Sequence, residues 1–229
     1  MSSETNPPSE AVEKARIVYN RLKALYGVPD WRVPLSGIDE LVSTILSQNT
    51  NDKNRDAAFL ALKRAFPTWE AVRDADPQAV IDVIRPAGLA NQKGPRIQAV
   101  LRQISEERGV LDLSFLKSWP VEQARAWLMK FNGVGQKTAA IVLQFALGVP
   151  AFPVDTHIYR VSGRLGLRPP KMSVEQAHAY LGRLFPPDEY GPAHLNLIRL
   201  GREVCHARKP NCPACPLADV CDYYNRLNG

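Results

Sequence analysis

All four cysteines of the chain fall in one short stretch, spaced Cys205-x6-Cys212-x2-Cys215-x5-Cys221. Four thiolates this close together can converge on one centre, and zinc and an iron–sulfur cluster both accept four cysteine ligands. A disulfide framework would scatter its cysteines through the fold instead. A second chemical signal lies in LMKFNGVGQKTAA, where Gly133-Val134-Gly135 precedes Lys137. Two glycines around one apolar residue make a tight turn that another backbone can approach, and the first N–H groups of the following helix point at any anion, such as a DNA phosphate. Taken alone, the turn also reads as an ordinary connection with glycine at a helix C-cap. Lys137 sits in the first turn of that helix, the unfavourable end for a cation. Partial burial and the helix end would both favour the neutral amine, the form a nucleophile attacking a sugar C1′ must take; the common alternative is a solvent-facing lysine. Downstream, PVDTHIYR places Asp155 where a helix should start. It is either a plain N-cap or a carboxylate that activates the amine and stabilises an oxocarbenium-like sugar.

These residues need a frame, and the apolar periodicity supplies helices for it. Ala11, Ala15, Val18, Tyr19, Leu22 and Leu25 recur at helical spacing, with Gly27 and Pro29 as the stop, after a polar, Pro-rich tail to about residue 9 that is expected to be flexible. Similar amphipathic stretches follow at about 37–48, 53–66, 77–85, 93–107, 121–130, 136–147, 156–165, 173–185 and 191–203, separated by Pro, Gly and Asp punctuation. Strand-like alternation is nearly absent, so the fold class is all-α. The segment from Thr138 to Val149 is apolar on almost every face and predicts a central buried helix.

Composition narrows the class of partner. With 229 residues and 45% hydrophobic content the chain can fill a sizeable core, in one large domain or two small lobes. It carries 29 Lys and Arg against 23 Asp and Glu, a formal net charge of +6, which favours a polyanion such as nucleic acid but also fits a generally basic enzyme. No apolar run is long enough to span a membrane, and the start MSSETNPPSEA lacks a signal-peptide layout. The expectation is a soluble, cytoplasmic protein, nucleoid-associated if bacterial, with no membrane partner.

At this point a resemblance becomes specific. The run LMKFNGVGQKTAAIVLQFALGVPAFPVDTHIYRVSGR resembles the helix-hairpin-helix–GPD signature of the endonuclease III family, with hairpin, lysine and aspartate in register, and the likeness runs from about Ala11 to Tyr224. The resemblance implies that Lys137 is a Schiff-base nucleophile and Asp155 its acidic partner, with Thr138 and His157 at family positions beside them as DNA contacts. The cysteine spacing and its C-terminal place are similar to those of the family's [4Fe-4S] cluster, so Cys205, Cys212, Cys215 and Cys221 become its ligands in preference to zinc ligands or disulfides. Arg202, Arg208 and Lys209 flank the cysteine loop, where they can grip a phosphate; a solvated basic loop is the plainer alternative.

An enzyme that extrudes a nucleotide must fill the hole it leaves. In IRPAGLANQKG, Leu89 aligns with the family's intercalating leucine, although a loop leucine can also tuck into a core. In ILSQNTNDKN, the family's inserted glutamine aligns with Asn49, with Gln48 displaced by one, and Gln136 stands where the family hairpin carries arginine. By the same resemblance, residues 30–149 form a six-helix lobe with the hairpin. Residues 1–29 join 150–229 in a cluster lobe, and DNA lies between the two. The implied function is removal of damaged, typically oxidised, pyrimidines from double-stranded DNA by a monomer, followed by β-elimination at the abasic site. A monofunctional mismatch or adenine glycosylase of the same superfamily is the nearest alternative, and a non-catalytic hairpin DNA-binding protein the next.

Overall fold

Side-chain caps decide where many of the helices begin. Ser36, Asn51, Thr68, Asp76, Asp155 and Ser173 each accept a hydrogen bond from a first-turn backbone N–H that has no partner within its helix. The structure is a computed structural model and describes residues 6–29 and 34–228. Its helices are α1 (Ser9–Tyr26), α2 (Gly37–Leu46), α3 (Asp52–Ala65), α4 (Trp69–Asp74), α5 (Pro77–Val83) and α6 (Ala90–Arg108), then α7 (Val121–Met129), α8 (Gln136–Ile141), α9 (Thr156–Leu165), α10 (Val174–Gly182), α11 (Tyr190–Glu203) and α12 (Asp222–Asn228). Short 3-10 turns link several of them, and no strand forms among the described residues, in keeping with the all-α reading. No helix is long and apolar enough to cross a membrane.

Three features differ from the periodicity reading. α4 and α12 were not foreseen, because six or seven residues are too few to display a helical period. α1 begins at Ser9, inside the stretch read as tail; residues 1–5 of that tail lie outside the described residues. The apolar segment from Thr138 also changes pitch: α8 is regular to Ile141, and Val142–Ala146 winds as a π-helix, with Leu147 N–H donating to Val142 O at 3.2 Å. Burial is complete only for its first half. Thr138 to Leu143 are buried, whereas Gln144 to Ala146 are half-buried.

The chain divides into two compact units. The first spans residues 34–149 and is built around α2, where every residue but Asp39 is buried. Leu41, Ile45 and Leu46 are fully enclosed, each contributing about 2 kcal/mol by leaving water. α2 packs against α3, α6, α8 and the π-turn. The second unit joins the described residues up to Pro29 with those from Pro150 onward. Its core draws Val18 and Leu22 from α1, Ile158 and Val161 from α9, Leu181 from α10, Leu197 and Leu200 from α11, and Leu217 and Cys221 from the cysteine loop.

Candidate active site, DNA-contact loops and cysteine loop

In the first unit, α7 ends at Met129 and the chain turns through the glycine hairpin into α8. Gly133 adopts φ +82°, and Val134, 3% exposed, plugs the turn inward with its N–H bonded to Phe131 O at 3.0 Å. Gly135 is the N-cap of α8 and offers no side-chain acceptor, so no cap side chain competes with an anion for the first-turn N–H groups. The two glycines differ in kind. A Cβ on Gly133 would stand 2.3 Å from Arg96 Cδ, while one on Gly135 would meet nothing within 4 Å. Thr138 is buried, and the side-chain oxygen of Gln136 is buried without a hydrogen-bond partner. Lys137, expected to be partly buried, is exposed: the apolar helix turns its buried face through Thr138 to Leu143 and leaves this position on the outside.

The two wedge candidates share an unusual backbone. Asn49 has φ +53° and Leu89 φ +51°, left-handed conformations in which non-glycine side chains are strained. Both side chains are exposed, Leu89 at 47% even though it is apolar, so the reading of a leucine tucked into the core does not apply to it. Gln48 is committed elsewhere. Its Nε2 donates to Gly133 O at 2.9 Å, and its Oε1 accepts from Arg96 Nη1 at 2.9 Å. Gln48 and Arg96 therefore brace the hairpin, a role that the motif alignment did not reveal.

In the second unit Asp155 caps α9, its Oδ1 accepting from Ile158 N–H at 2.8 Å, and it stays half-buried. The buried segment leading to it is held by two buried histidines: His178 Nδ1 lies 3.1 Å from Phe152 O, and His194 Nδ1 lies 3.0 Å from Pro153 O. His157 faces Arg160, whose Nη2 stands 3.1 Å from the ring Nδ1 and also donates to Gly201 O at 2.9 Å. Arg160 Nε reaches on to Cys205 O at 3.0 Å. One guanidinium thus joins the start of α9, the end of α11 and the first cysteine.

The four cysteines line a single pocket of about 370 Å³ including its mouth, together with Val161, Leu200 and Tyr223. Among the described residues no three His, Cys, Asp or Glu side chains are grouped to hold a single metal ion. A tetrahedral zinc, with Zn–S bonds of about 2.3 Å, would need that tight grouping. Thiols that ring an apolar cavity instead suit a cluster of several atoms. Burial pushes the Cys212 and Cys215 thiols above their ordinary pKa, and the neighbouring cysteines push the same way, so a set of four thiolates here calls for a compensating positive group. The loop is pinned from α9 and α1. Arg164 Nη1 donates to Cys205 Sγ at 3.3 Å and to His206 O at 2.6 Å, its Nη2 donates to Ala207 O at 3.0 Å, and Arg21 makes a paired contact with Asp219. Arg202, Arg208 and Lys209 are all exposed, and Lys209 adopts φ +50°.

Comparison with known proteins reaches the same place. The family model of the HhH-GPD superfamily of base excision DNA repair proteins matches residues 42–187, and that of the iron–sulfur binding domain of endonuclease III matches residues 205–221. An endonuclease III from Thermotoga maritima is 35% identical over 186 residues, covering 81% of this chain and 83% of its own. The chain belongs to the endonuclease III family. A second endonuclease III, from Sulfolobus acidocaldarius, is 36% identical over 80% of this chain and 81% of its own. A solved endonuclease III, trapped as a covalent intermediate with DNA, superposes with a TM-score of 0.80 at 28% identity, covering 95% of this chain and 99% of that one. As a member of the endonuclease III family the protein is a base excision repair DNA glycosylase and AP lyase that binds DNA, and its cysteine loop holds a [4Fe-4S] cluster. The superfamily match spans the hairpin, Lys137 and Asp155, and the cluster match spans the four cysteines.

Proposed function

We propose that the protein excises damaged pyrimidines, chiefly oxidised ones, from double-stranded DNA and then cuts the strand 3′ to the abasic site, acting as a monomer in the cytoplasm, at the nucleoid if the source is bacterial. The observation that carries this reading is the exposed Lys137, standing two residues beyond a glycine that leaves its surroundings open. Lys137 Nζ, as the neutral amine, attacks C1′. The glycosidic bond breaks with its electron pair leaving on the base, which takes up a proton. Loss of a proton from nitrogen and opening of the sugar ring give an imine. Removal of a C2′ proton then expels the 3′ phosphate, and water releases the lysine. Asp155 receives the proton of the attacking amine and stabilises the developing positive charge on the sugar. Thr138 and His157, close in sequence to these residues, are further DNA contacts.

The hairpin of Gly133, Val134 and Gly135 offers its backbone to one phosphate, and Arg202, Arg208 and Lys209 take others. Asn49 and Leu89 fill the gap left by the extruded nucleotide. Cys205, Cys212, Cys215 and Cys221 hold the cluster, whose role is structural: it orders the loop that carries Arg208 and Lys209.

Borohydride trapping on a duplex with an abasic site tests the nucleophile. Wild-type protein should form a covalent adduct, and Lys137→Gln should form none while still binding the duplex. An adduct of Lys137→Gln at the wild-type level would overturn the assignment. A panel of duplexes tests the substrate: excision should be fastest for oxidised pyrimidines, faster removal of adenine or of a mismatched base would replace this reading with the monofunctional alternative, and faster removal of an oxidised purine would overturn the pyrimidine preference.

A further inference from the structure

Lys93 is 1% exposed and is among the largest fully buried side chains of the protein. Its Nζ donates to Leu46 O at 2.7 Å and to Ala87 O at 2.8 Å. Burial, and after it the nearby Arg96, both press its pKa below the ordinary lysine value, so the residue is costly to keep in this place. An aliphatic side chain would fill the same space without that cost. What lysine adds is a donor that can reach two carbonyls at once.

The two carbonyls stand at significant points of the chain. Leu46 closes α2 and lies three residues before Asn49; Ala87 lies two residues before Leu89. Each segment then enters a left-handed residue, φ +53° at Asn49 and φ +51° at Leu89, which local sterics disfavour and the surroundings must enforce. One turn further along α6, Arg96 reaches Gln48, which in turn holds Gly133 O. Every one of these groups belongs to the unit of residues 34–149.

We propose that Lys93 is a positioning residue that ties the Asn49 loop to the Leu89 loop, so that the two side chains enter the duplex as one body when a nucleotide is extruded. This rests on the reading of Asn49 and Leu89 given under Proposed function. Lys93 touches neither DNA nor the reacting atoms, so its effect should appear only where extrusion is difficult. Lesions in a fully paired duplex demand displacement of a paired base; a lesion opposite an abasic gap does not.

The test is a double-mutant cycle of Lys93→Met and Leu89→Ala, read by single-turnover excision of an oxidised pyrimidine in both duplexes. Each single variant should be about tenfold slower on the paired duplex and much less affected on the gapped one. The double variant should be no slower than the slower single variant, since both disable one device. A merely structural role for Lys93 would slow both duplexes alike and multiply with Leu89→Ala, and that result, or wild-type excision by folded Lys93→Met, overturns the proposal. Wild-type excision by Leu89→Ala would instead refute the wedge reading beneath it. If Lys93→Met does not fold, amide hydrogen exchange of the wild-type protein decides: residues 47–50 and 87–91 should open together and gain protection together on binding an abasic duplex. Independent opening of the two segments overturns the tie.

Discussion

Substituting alanine at the two hairpin glycines separates what the turn does for the fold from what it does for DNA. At Gly133 the new Cβ would stand 2.3 Å from Arg96 Cδ and 2.4 Å from its Nε, in a backbone of φ +82°. The positive φ costs an L-residue about 1 kcal/mol. The clash falls on the flexible end of Arg96, which can swing aside, but doing so breaks its bond to Gln48 Oε1 and frees Gln48 from Gly133 O. Two lost hydrogen bonds at about 1 kcal/mol each bring the total to about 3 kcal/mol. For a chain of this size that lowers the melting midpoint by about 6–12 °C. Gly135 has φ −92° and open space around its Cβ, so Gly135→Ala costs only the poorer helix cap, about 0.5–1 kcal/mol, and should lower the midpoint by about 1–4 °C. Its methyl group nevertheless occupies the path by which a phosphate reaches the α8 N–H groups, and affinity for a duplex bearing a stable abasic analogue should fall about tenfold. Circular dichroism melting and fluorescence anisotropy on both variants measure the two effects. If Gly133→Ala melts with the wild type, or Gly135→Ala loses as much stability as Gly133→Ala, the division of labour drawn from the contacts is wrong.

Asp155→Asn keeps the helix cap, so melting should be unchanged while single-turnover excision slows by about 100-fold or more; an unslowed variant reduces Asp155 to a cap. Arg164→Met removes donors to Cys205 Sγ, His206 O and Ala207 O, so the visible absorption of the cluster should decay faster in air or chelator than in wild type, and equal lifetimes would refute the pinning role. Lys209→Gly relieves the left-handed strain at φ +50° and should raise stability by about 0.5–1 kcal/mol, while flattening the dependence of log affinity on log salt by about 0.9; a steeper or unchanged slope means that Lys209 meets no phosphate. The hydrogen bond from Arg21 holds the Asp219 carboxyl below its ordinary pKa, so the clamp on the cysteine loop is fully present above the ordinary carboxylate value and is lost as pH falls through the depressed one. Cluster release on acidification should therefore begin at higher pH in Asp219→Asn than in wild type, and coincident release curves would count against the clamp.

Legibility in the sequence followed the distance between partners. The hairpin, Lys137, the cap at Asp155 and the cysteine spacing are each written within a few residues, and the structure places each on the element expected of it. The exposure of Lys137 was misjudged because the helix after it is apolar, yet which face of a first turn is buried depends on packing that the local pattern does not encode. Gln48 looked like a misplaced wedge. Its true partners are Gly133, 85 residues away, and Arg96, 48 residues away. Arg160 and Arg164 reach partners more than 40 residues downstream, and Lys93 spans two loops 41 residues apart, so no spacing rule could have exposed them. α4 was missed for the opposite reason, being too short to carry a period of its own.

The backbone carries a further argument about which residues face DNA. Among the described residues, Asn49, Leu89 and Lys209 are the non-glycine residues with positive φ; alignment to the family points to the first two as wedges, and charge beside the cysteine loop points to the third as a phosphate contact. Glycine at any of them would lower the strain by about 1 kcal/mol. At Leu89 it would also remove an apolar side chain that is 47% exposed and does little for the core. A strained backbone carrying an exposed side chain is a poor choice for stability and a sensible one for reach: the left-handed residue turns the chain sharply and projects its side chain away from the body that supports it. The support is correspondingly heavy. Lys93 and Arg96 lie one helical turn apart on α6, and between them they hold Leu46 O, Ala87 O and Gln48. A helix that spends two cations on loop carbonyls and a glutamine is acting as a frame, and the parts it frames are the two loops and the hairpin.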